Sequence, residues 1–598
     1  MANDIQNSSL QSLVLSRFSD NALSGIPRGL QLQTADAELE TLMQTLYRAR
    51  QMRNARAGPG RLPREILAYI FECLQPLWLP RRELDEKDAA GLEPVFCSGW
   101  MTVTHVCSFW REVALSFPSL WSNPTIDILS IPRQYIPDIL LRSHSAALDL
   151  KLICEHESIQ TRQDTSFNAW SSSVILRRAR RLNIIADMEL ITYLAQRLSP
   201  SHVMERLHEL AVSSWGAEGT LDLPAPFYNL PELTSLILWD YQVPWRCPIL
   251  SSKLTELRLL YCDIGPRPTY QELYDLLSLL QSLQILELRE TVPRRPIPSE
   301  GHLTDTIMAP SLRRLEIAVL DSELAMDALT FMSLIHAPPQ CVCNYHINQL
   351  GAHDPDMTFV DDALGRLIPN LSLAGHNYTE MRHLLLTYRG LQLAGTPIPL
   401  QIASPSNRSS KLDLATIFNR LRIPHFSKLD PPIYFHLANY LSFVTLERLI
   451  TVSLDSSSIR FIDDNDLWSC LLRADGVRRI GLVKTTAPAS LYVPLLLDAL
   501  RLPRALDTGD ETRILFPQLE ELALLLTEDE AAHNDVIIGI IDLVHARLQN
   551  GTPLLELVIS REAAHWAVWT TLRALLKITF IDYPLFDSSP VMPKVDTV

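Results

Sequence analysis

The sequence is poor in the residues that most specialised chemistries require. Only 20 glycines occur in 598 residues, which argues against phosphate-cradling glycine loops and tight-hairpin β folds. Lysine and arginine number 53 against 68 aspartates and glutamates, a formal charge of −15. That balance disfavours non-specific binding to nucleic acid or to an anionic membrane. No run of 18 consecutive apolar residues occurs, so no transmembrane helix is expected. The opening residues lack a basic stretch leading into an apolar run, so no secretory signal is expected. The nine cysteines are odd in number and follow no framework spacing. They read as reduced thiols buried as small hydrophobes, in the cytoplasm or nucleus.

Catalytic and metal motifs are also missing. There is no glycine-rich phosphate loop, G-x-S-x-G, H-E-x-x-H or paired C-x-x-C, so neither an enzyme nor a cofactor is expected. Two clusters need weighing. His336, Cys341, Cys343 and His346 lie within eleven residues, yet match no zinc-site spacing. Asp463-Asp464-Asn465-Asp466 lacks the glycine and distal glutamate of a calcium loop and reads as a solvated turn.

What is present is leucine, in quantity and in pattern. The chain is 47% hydrophobic and 20% charged, the balance of a globular protein. Its length exceeds what one ordinary core accommodates, with repeat architectures the standing exception. Residues 1–35 look like a polar, mobile leader. Over 36–57, Leu39, Leu42, Met43, Leu46 and Tyr47 follow helical spacing, an amphipathic helix with a basic far end (Arg48, Arg50, Arg53, Arg56). That basic end reads as a solvated face in preference to a nucleic-acid contact.

The stretch 58–124 is the most informative. Leu62-Pro63-Arg64-Glu65-Ile66-Leu67 opens a helix with proline and an acid in the first turn. Ile66, Leu67, Ile70, Phe71 and Leu74 form its apolar stripe. After a charged loop, a second helix runs through Val103, Val106, Cys107, Trp110, Val113 and Ala114, and the segment closes on Pro118-Ser119-Leu120-Trp121. LPREILAYIF, then VCSFWREVA, then PSLW resembles the F-box-like domain in the version abundant in fungal proteins, apart from a long insertion at residues 80–98. The resemblance implies docking onto the Skp-type adaptor of cullin–RING ubiquitin ligases. By matched position Leu62, Pro63, Ile66, Leu67, Ile70 and Phe71 would form the docking edge. Val106, Trp110, Leu120 and Trp121 would hold the helices together or complete the contact. Taken alone, the same residues also read as plain core.

A connector, 125–170, with a helix at 131–143 and a strand at 148–152, leads to the repeats expected over 171–598. The unit L-x-x-L-x-L recurs as Leu207/Leu210/Val212, Leu233/Leu236/Leu238, Leu254/Leu257/Leu259, Leu283/Leu286/Leu288 and Leu312/Leu315/Ile317. Arg181–Ile184 is a degenerate earlier copy. Later ones start at Met381, Val477, Leu519 and Leu554. The early copies recur every 21 to 29 residues, the period of leucine-rich repeats, which they resemble. One carries the fuller pattern through Cys262 and Ile264. Helix-period segments alternate with them (187–198, 270–281, 322–336, 412–421, 491–500, 535–548 and 561–575), while 320–440 is poorly patterned. The expected fold is α/β: a small helical F-box-like domain followed by an irregular leucine-rich-repeat β–α solenoid with parallel strands.

Period-two alternation sends the leucines inward and sets Ile237, Trp239, Glu256, Arg258, Glu287, Arg289, Arg314 and Glu316 on the opposite face. Trp239, Arg258, Glu287, Arg289 and Glu316 are the candidate client-binding residues. The same charges would also serve simply to keep that face soluble. Two functions follow: a ligase adaptor joining the Skp-type subunit to a client protein, or a non-ligase repeat scaffold whose F-box-like helices cap the first repeat.

Overall fold

The computed structural model describes residues 11–56, 58–83, 95–123, 127–154, 165–198, 204–214, 220–261, 267–295, 305–319, 323–338, 340–347, 362–367, 382–387, 390–394, 420–424, 441–482, 489–505, 512–526 and 533–581. The chain is α/β, with a helical N-terminal region and a large, mostly parallel sheet. It divides into two compact units, Met1–Leu182 and Asn183–Val598. The division falls some ten residues beyond the boundary expected near residue 171.

In the first unit, helix α1 spans Arg28–Arg56 and starts directly after Pro27, whose carbonyl takes the Leu30 amide at 2.8 Å. A proline lacks the amide that a first turn would leave unpaired. Residues 28–35 of the expected leader therefore belong to α1, and residues 11–17 and 20–23 are helical as well. Helix α2, Arg64–Leu74, has Pro63 at its N-cap and buries Leu67, Ala68 and Phe71. The second helix expected through Val103–Ala114 is two elements, a 3-10 segment Gly99–His105 and helix α3, Ser108–Ser116. The break lies at Cys107, whose extended backbone places its sulfur to accept the Trp110 amide.

Glycine at position 99 is obligatory. Its φ is +53°, and a Cβ would lie 2.5–2.6 Å from backbone atoms of Trp78, Leu79 and Pro80. This close approach lets the Trp100 amide donate to the Trp78 carbonyl at 2.6 Å. Trp100 then meets Trp121 edge to face, centroids 5.1 Å apart, and Trp121 Nε1 donates to the Ala114 carbonyl at 2.7 Å. The 80–98 insertion is framed by a short antiparallel pair, Arg81–Glu83 with Val95–Cys97, and residues 84–94 lie outside those described. The connector contains a 3-10 turn, Arg133–Tyr135, and a short helix, Ile136–Arg142, in place of one longer helix. Strand Leu148–Ile153 buries alternate residues, as expected.

The second unit is built on one sheet. After the strand Ala179–Ala186, which spans the division and holds the degenerate copy Arg181–Ile184, its strands are β1 (Glu209–Ser214), β2 (Ser235–Trp239), β3 (Glu256–Leu260), β4 (Ile285–Arg289), β5 (Arg314–Val319), β6 (Val342–Ile347), β7 (His383–Thr387), β8 (Gly390–Ala394), β9 (Arg420–Pro424), β10 (Thr451–Leu454), β11 (Arg479–Leu482), β12 (Glu521–Leu524), β13 (Glu556–Ser560) and β14 (Lys577–Ile581). Strands β1 to β5 are neighbours in parallel, and the register aligns Leu210, Leu236, Leu257, Leu286 and Leu315 in one row.

That register is held although the repeats differ in length, because each strand is entered the same way. The first leucine of each motif closes a tight turn onto the carbonyl three residues before it: Leu233 to Leu230, Leu254 to Ser251, Leu283 to Leu280, Leu312 to Ala309 and Leu519 to Phe516, at 3.0–3.2 Å. One carbonyl of the preceding repeat then takes two successive amides, as Thr234 takes those of Thr255 and Glu256. Extra residues fall in the return path and leave the entry turn unchanged.

The parallel order is interrupted, contrary to a continuous parallel array. Strand β8 runs antiparallel to both β7 and β9, while β9 joins β6 and β7 joins β10 in parallel. The helix expected at 412–421 is not supported at its end, since Arg420 and Leu421 belong to β9; 412–419 lie outside the described residues, as do Cys262, Ile264 and Met381. Other helices stand where periodicity places them: Met188–Arg197, Tyr270–Leu279, Ala325–Leu334, Val493–Arg501 and Asn534–Gln549. Asp187 caps the first through the Leu190 amide, and Thr269 with Glu272 form a capping box on the second. The segment expected as a helix over 561–575 breaks into a 3-10 turn and a short helix, Val568–Leu572.

Candidate docking surfaces

On α2, residues 100° apart separate into two faces. Leu67 and Phe71 turn inward, and Phe71 packs edge-on to Trp110 with centroids 5.3 Å apart. Ile66 and Ile70 turn outward at 49% and 44% exposure. With Pro63 and Cys73, both exposed, they form an i, i+3, i+7 stripe along one side of the helix, and Leu77, 78% exposed, follows in the 3-10 turn Gln75–Leu77. Val106, also exposed, lies at the break before α3. Of the six residues expected at the docking edge and the four expected to hold the helices together or complete the contact, Pro63, Ile66, Ile70 and Val106 are accessible, and Leu62 and Trp110 are half-buried. Leu67, Phe71, Leu120 and Trp121 are buried core. The placement of Leu67 and Phe71 on the edge is therefore corrected: a stripe that includes i and i+1 covers more than one face of a helix. Two exposed neighbours, Tyr69 and Trp78, were not anticipated, although Tyr69 follows from the same 100° step.

The second surface is the sheet face opposite the leucines. Register places Ala211, Ile237, Arg258, Glu287, Glu316 and Asn344 in one transverse row. Trp239 and Arg289 stand one step further along β2 and β4, and the Arg289 guanidinium lies over the Trp239 ring at 5.7 Å. Trp239 is half-buried, where an exposed ring was expected. The charges satisfy one another. Arg258 reaches Glu256 and, at 3.3 Å, Glu287; Arg289 lies 3.7 Å from Glu287; Arg314 pairs with Glu316 at 2.7 Å. Three arginines face three glutamates. Glu287 is buried, and burial pushes its carboxyl pKa up, with Glu316 adding to the rise while Arg258, Arg289 and Arg314 oppose it. These three arginines and three glutamates are thus internally paired, and the uncharged side chains beside them, Ala211 and Ile237, carry the least electrostatic cost to cover.

Two repeats escaped the leucine pattern. Strand β6 buries Cys343 and Tyr345 where leucines stand elsewhere, in register with Leu315 and Ile317. Strand β10 buries Val452 and Leu454, and Leu449 is buried just before it, a spacing that was legible. Cys341 and Cys343 are therefore core residues. A shared hydrogen bond pushes the Cys341 thiol pKa up and that of Cys343 down. His336 pairs with Asp305 at 3.3 Å. Asp463 accepts from Trp468 Nε1, and Asp466 pairs with Arg504. Among the described residues no group of three or more His, Cys, Asp or Glu is arranged to hold a metal, and no helix is long and apolar enough to cross a membrane.

The chain matches no protein-family model and no curated protein.

Proposed function

We propose that this chain is the client-recognition subunit of a cullin–RING ubiquitin ligase. Its helical unit docks a Skp-type adaptor, and its sheet unit, a leucine-rich-repeat solenoid, binds a protein client. The observation that carries the reading is the stripe Ile66–Ile70. Two large aliphatic side chains remain in solvent on a unit that buries Leu67, Phe71, Trp100 and Trp121 almost completely. Leaving such a stripe open is unfavourable unless a partner covers it. The alternative, a scaffold whose helices cap the repeats, would place that stripe inside.

The test is co-precipitation of the full chain with the Skp-type adaptor, comparing Ile66→Asp/Ile70→Asp with wild type. Each isoleucine at the centre of such an interface contributes about 2 kcal/mol or more, so binding should fall by roughly three orders of magnitude. The melting temperature should move little. Undiminished binding by a folded double variant overturns the reading. For the client, Trp239→Ala is the informative substitution, because Arg258→Glu would also set three carboxylates together around Glu256 and Glu287. An unchanged set of captured clients would exclude this face.

A further inference from the structure

Helix α1 runs for 29 residues and buries none of them. One side is occupied within the chain: Gln31 donates to the Leu23 and Ile26 carbonyls, Arg17 pairs with Glu38 at 3.0 Å, and Gln31, Thr34, Ala35, Glu38 and Leu42 are half-buried. The other side is open. Leu32, Leu39, Met43 and Leu46 are exposed, Leu32 at 73%, and Asp36, Arg50 and Arg53 are exposed with them. In sequence these seven residues alternate steps of four and three. That is the seam of a two-stranded coiled coil, with Asp36, Met43 and Arg50 at one core position and Leu32, Leu39, Leu46 and Arg53 at the other.

The charges on the seam choose the partner and its direction. In a parallel pair of identical helices Asp36 would meet Asp36 and Arg50 would meet Arg50, like charges at a closing interface. An antiparallel pair that sets Met43 against Leu46 of the second copy places Asp36 opposite Arg53 and Leu39 opposite Arg50. The acidic side chains of one helix (Asp36, Glu40) then lie toward the basic end of the other (Arg50, Arg53), and among the described residues no carboxylate of the chain itself pairs with those arginines. The Asp36–Arg53 contact is made twice, once on each side of the two-fold axis.

We propose that the open face of α1 binds a second copy of this chain, antiparallel, through the Leu32–Arg53 seam. The experiment is sedimentation velocity on the full chain over a concentration series up to about 100 µM, with far-UV circular dichroism to verify folding of each variant. Wild type should pass from one to two chain masses. Asp36→Arg alone and Arg53→Asp alone should each weaken association at least tenfold, and Asp36→Arg/Arg53→Asp together should restore it. A wild type that stays monomeric throughout overturns the proposal. So does a dimer indifferent to the single substitutions, which would use another surface, or a charge-swapped double variant that fails to recover, which would exclude the antiparallel register.

Discussion

Arg547 has an arginine's cost without an arginine's usual partner. It sits in the last turn of helix Asn534–Gln549 and is fully buried. Its guanidinium contacts no carboxylate among the described residues; it donates to the carbonyls of Phe516 (2.7 Å), Thr552 (3.2 Å), Leu500 and Leu515 (both 3.3 Å). Burial lowers its pKa to about 10, so holding the charge there costs about 3 kcal/mol. Four charge-assisted bonds at about 1.5–2 kcal/mol each outweigh that, leaving a net contribution of about 3–5 kcal/mol, the range typical when one partner of a buried charged contact is lost. Phe516 itself is held at φ +51°, the left-handed region that a phenylalanine avoids, and its carbonyl also closes the entry turn to Leu519. Arg547→Met should therefore lower the melting temperature by roughly 3–6 °C and raise amide exchange first at Leu515–Leu519 and along 534–549. Arg547→Lys, which has three donors on one atom, should recover no more than about half. A methionine variant that melts within a degree or two of wild type, with unchanged exchange, would show that the guanidinium does not hold these turns.

Phe71→Ala should destabilise the helical unit by about 3–5 kcal/mol, whereas Ile70→Ala, its exposed neighbour, should change thermal unfolding by less than about 1 kcal/mol; equal effects would refute the two-faced reading of α2. Gly99→Ala should lower the yield of folded protein or its melting temperature markedly, because a Cβ at that φ runs into the Trp78–Pro80 backbone; a well-folded alanine variant would refute that constraint. His383 is buried and its pKa is lowered to about 4, first by burial and then by Arg382 and Arg479. The unfolded chain therefore binds its proton first, so stability present above about pH 6.5 is lost as pH falls toward 4, at up to about 1.4 kcal/mol per pH unit. His383→Gln should flatten that limb of a denaturation–pH profile, and an unaltered slope would exclude His383 as its source.

The leucine spacing determined the ladder from β1 to β5, because a strand that buries one face repeats every two residues and each motif closes the same entry turn. Where that spacing was filled by Cys343 and Tyr345 the strand formed all the same, since packing asks for buried volume and does not distinguish leucine from a thiol or a ring that fits. The helix caps at Asp187, Thr269 and Pro63 were equally local, as was the proline-led start of α2. Tertiary structure decided the rest. Which of two adjacent apolar residues on α2 faces the core depends on where Trp110 stands; that the sheet's charges neutralise one another depends on strands 21 to 29 residues apart coming into register. The antiparallel β8 and the four carbonyls around Arg547 come from segments distant in sequence. No local period records them, because their energy exists only once the chain has returned to the same place.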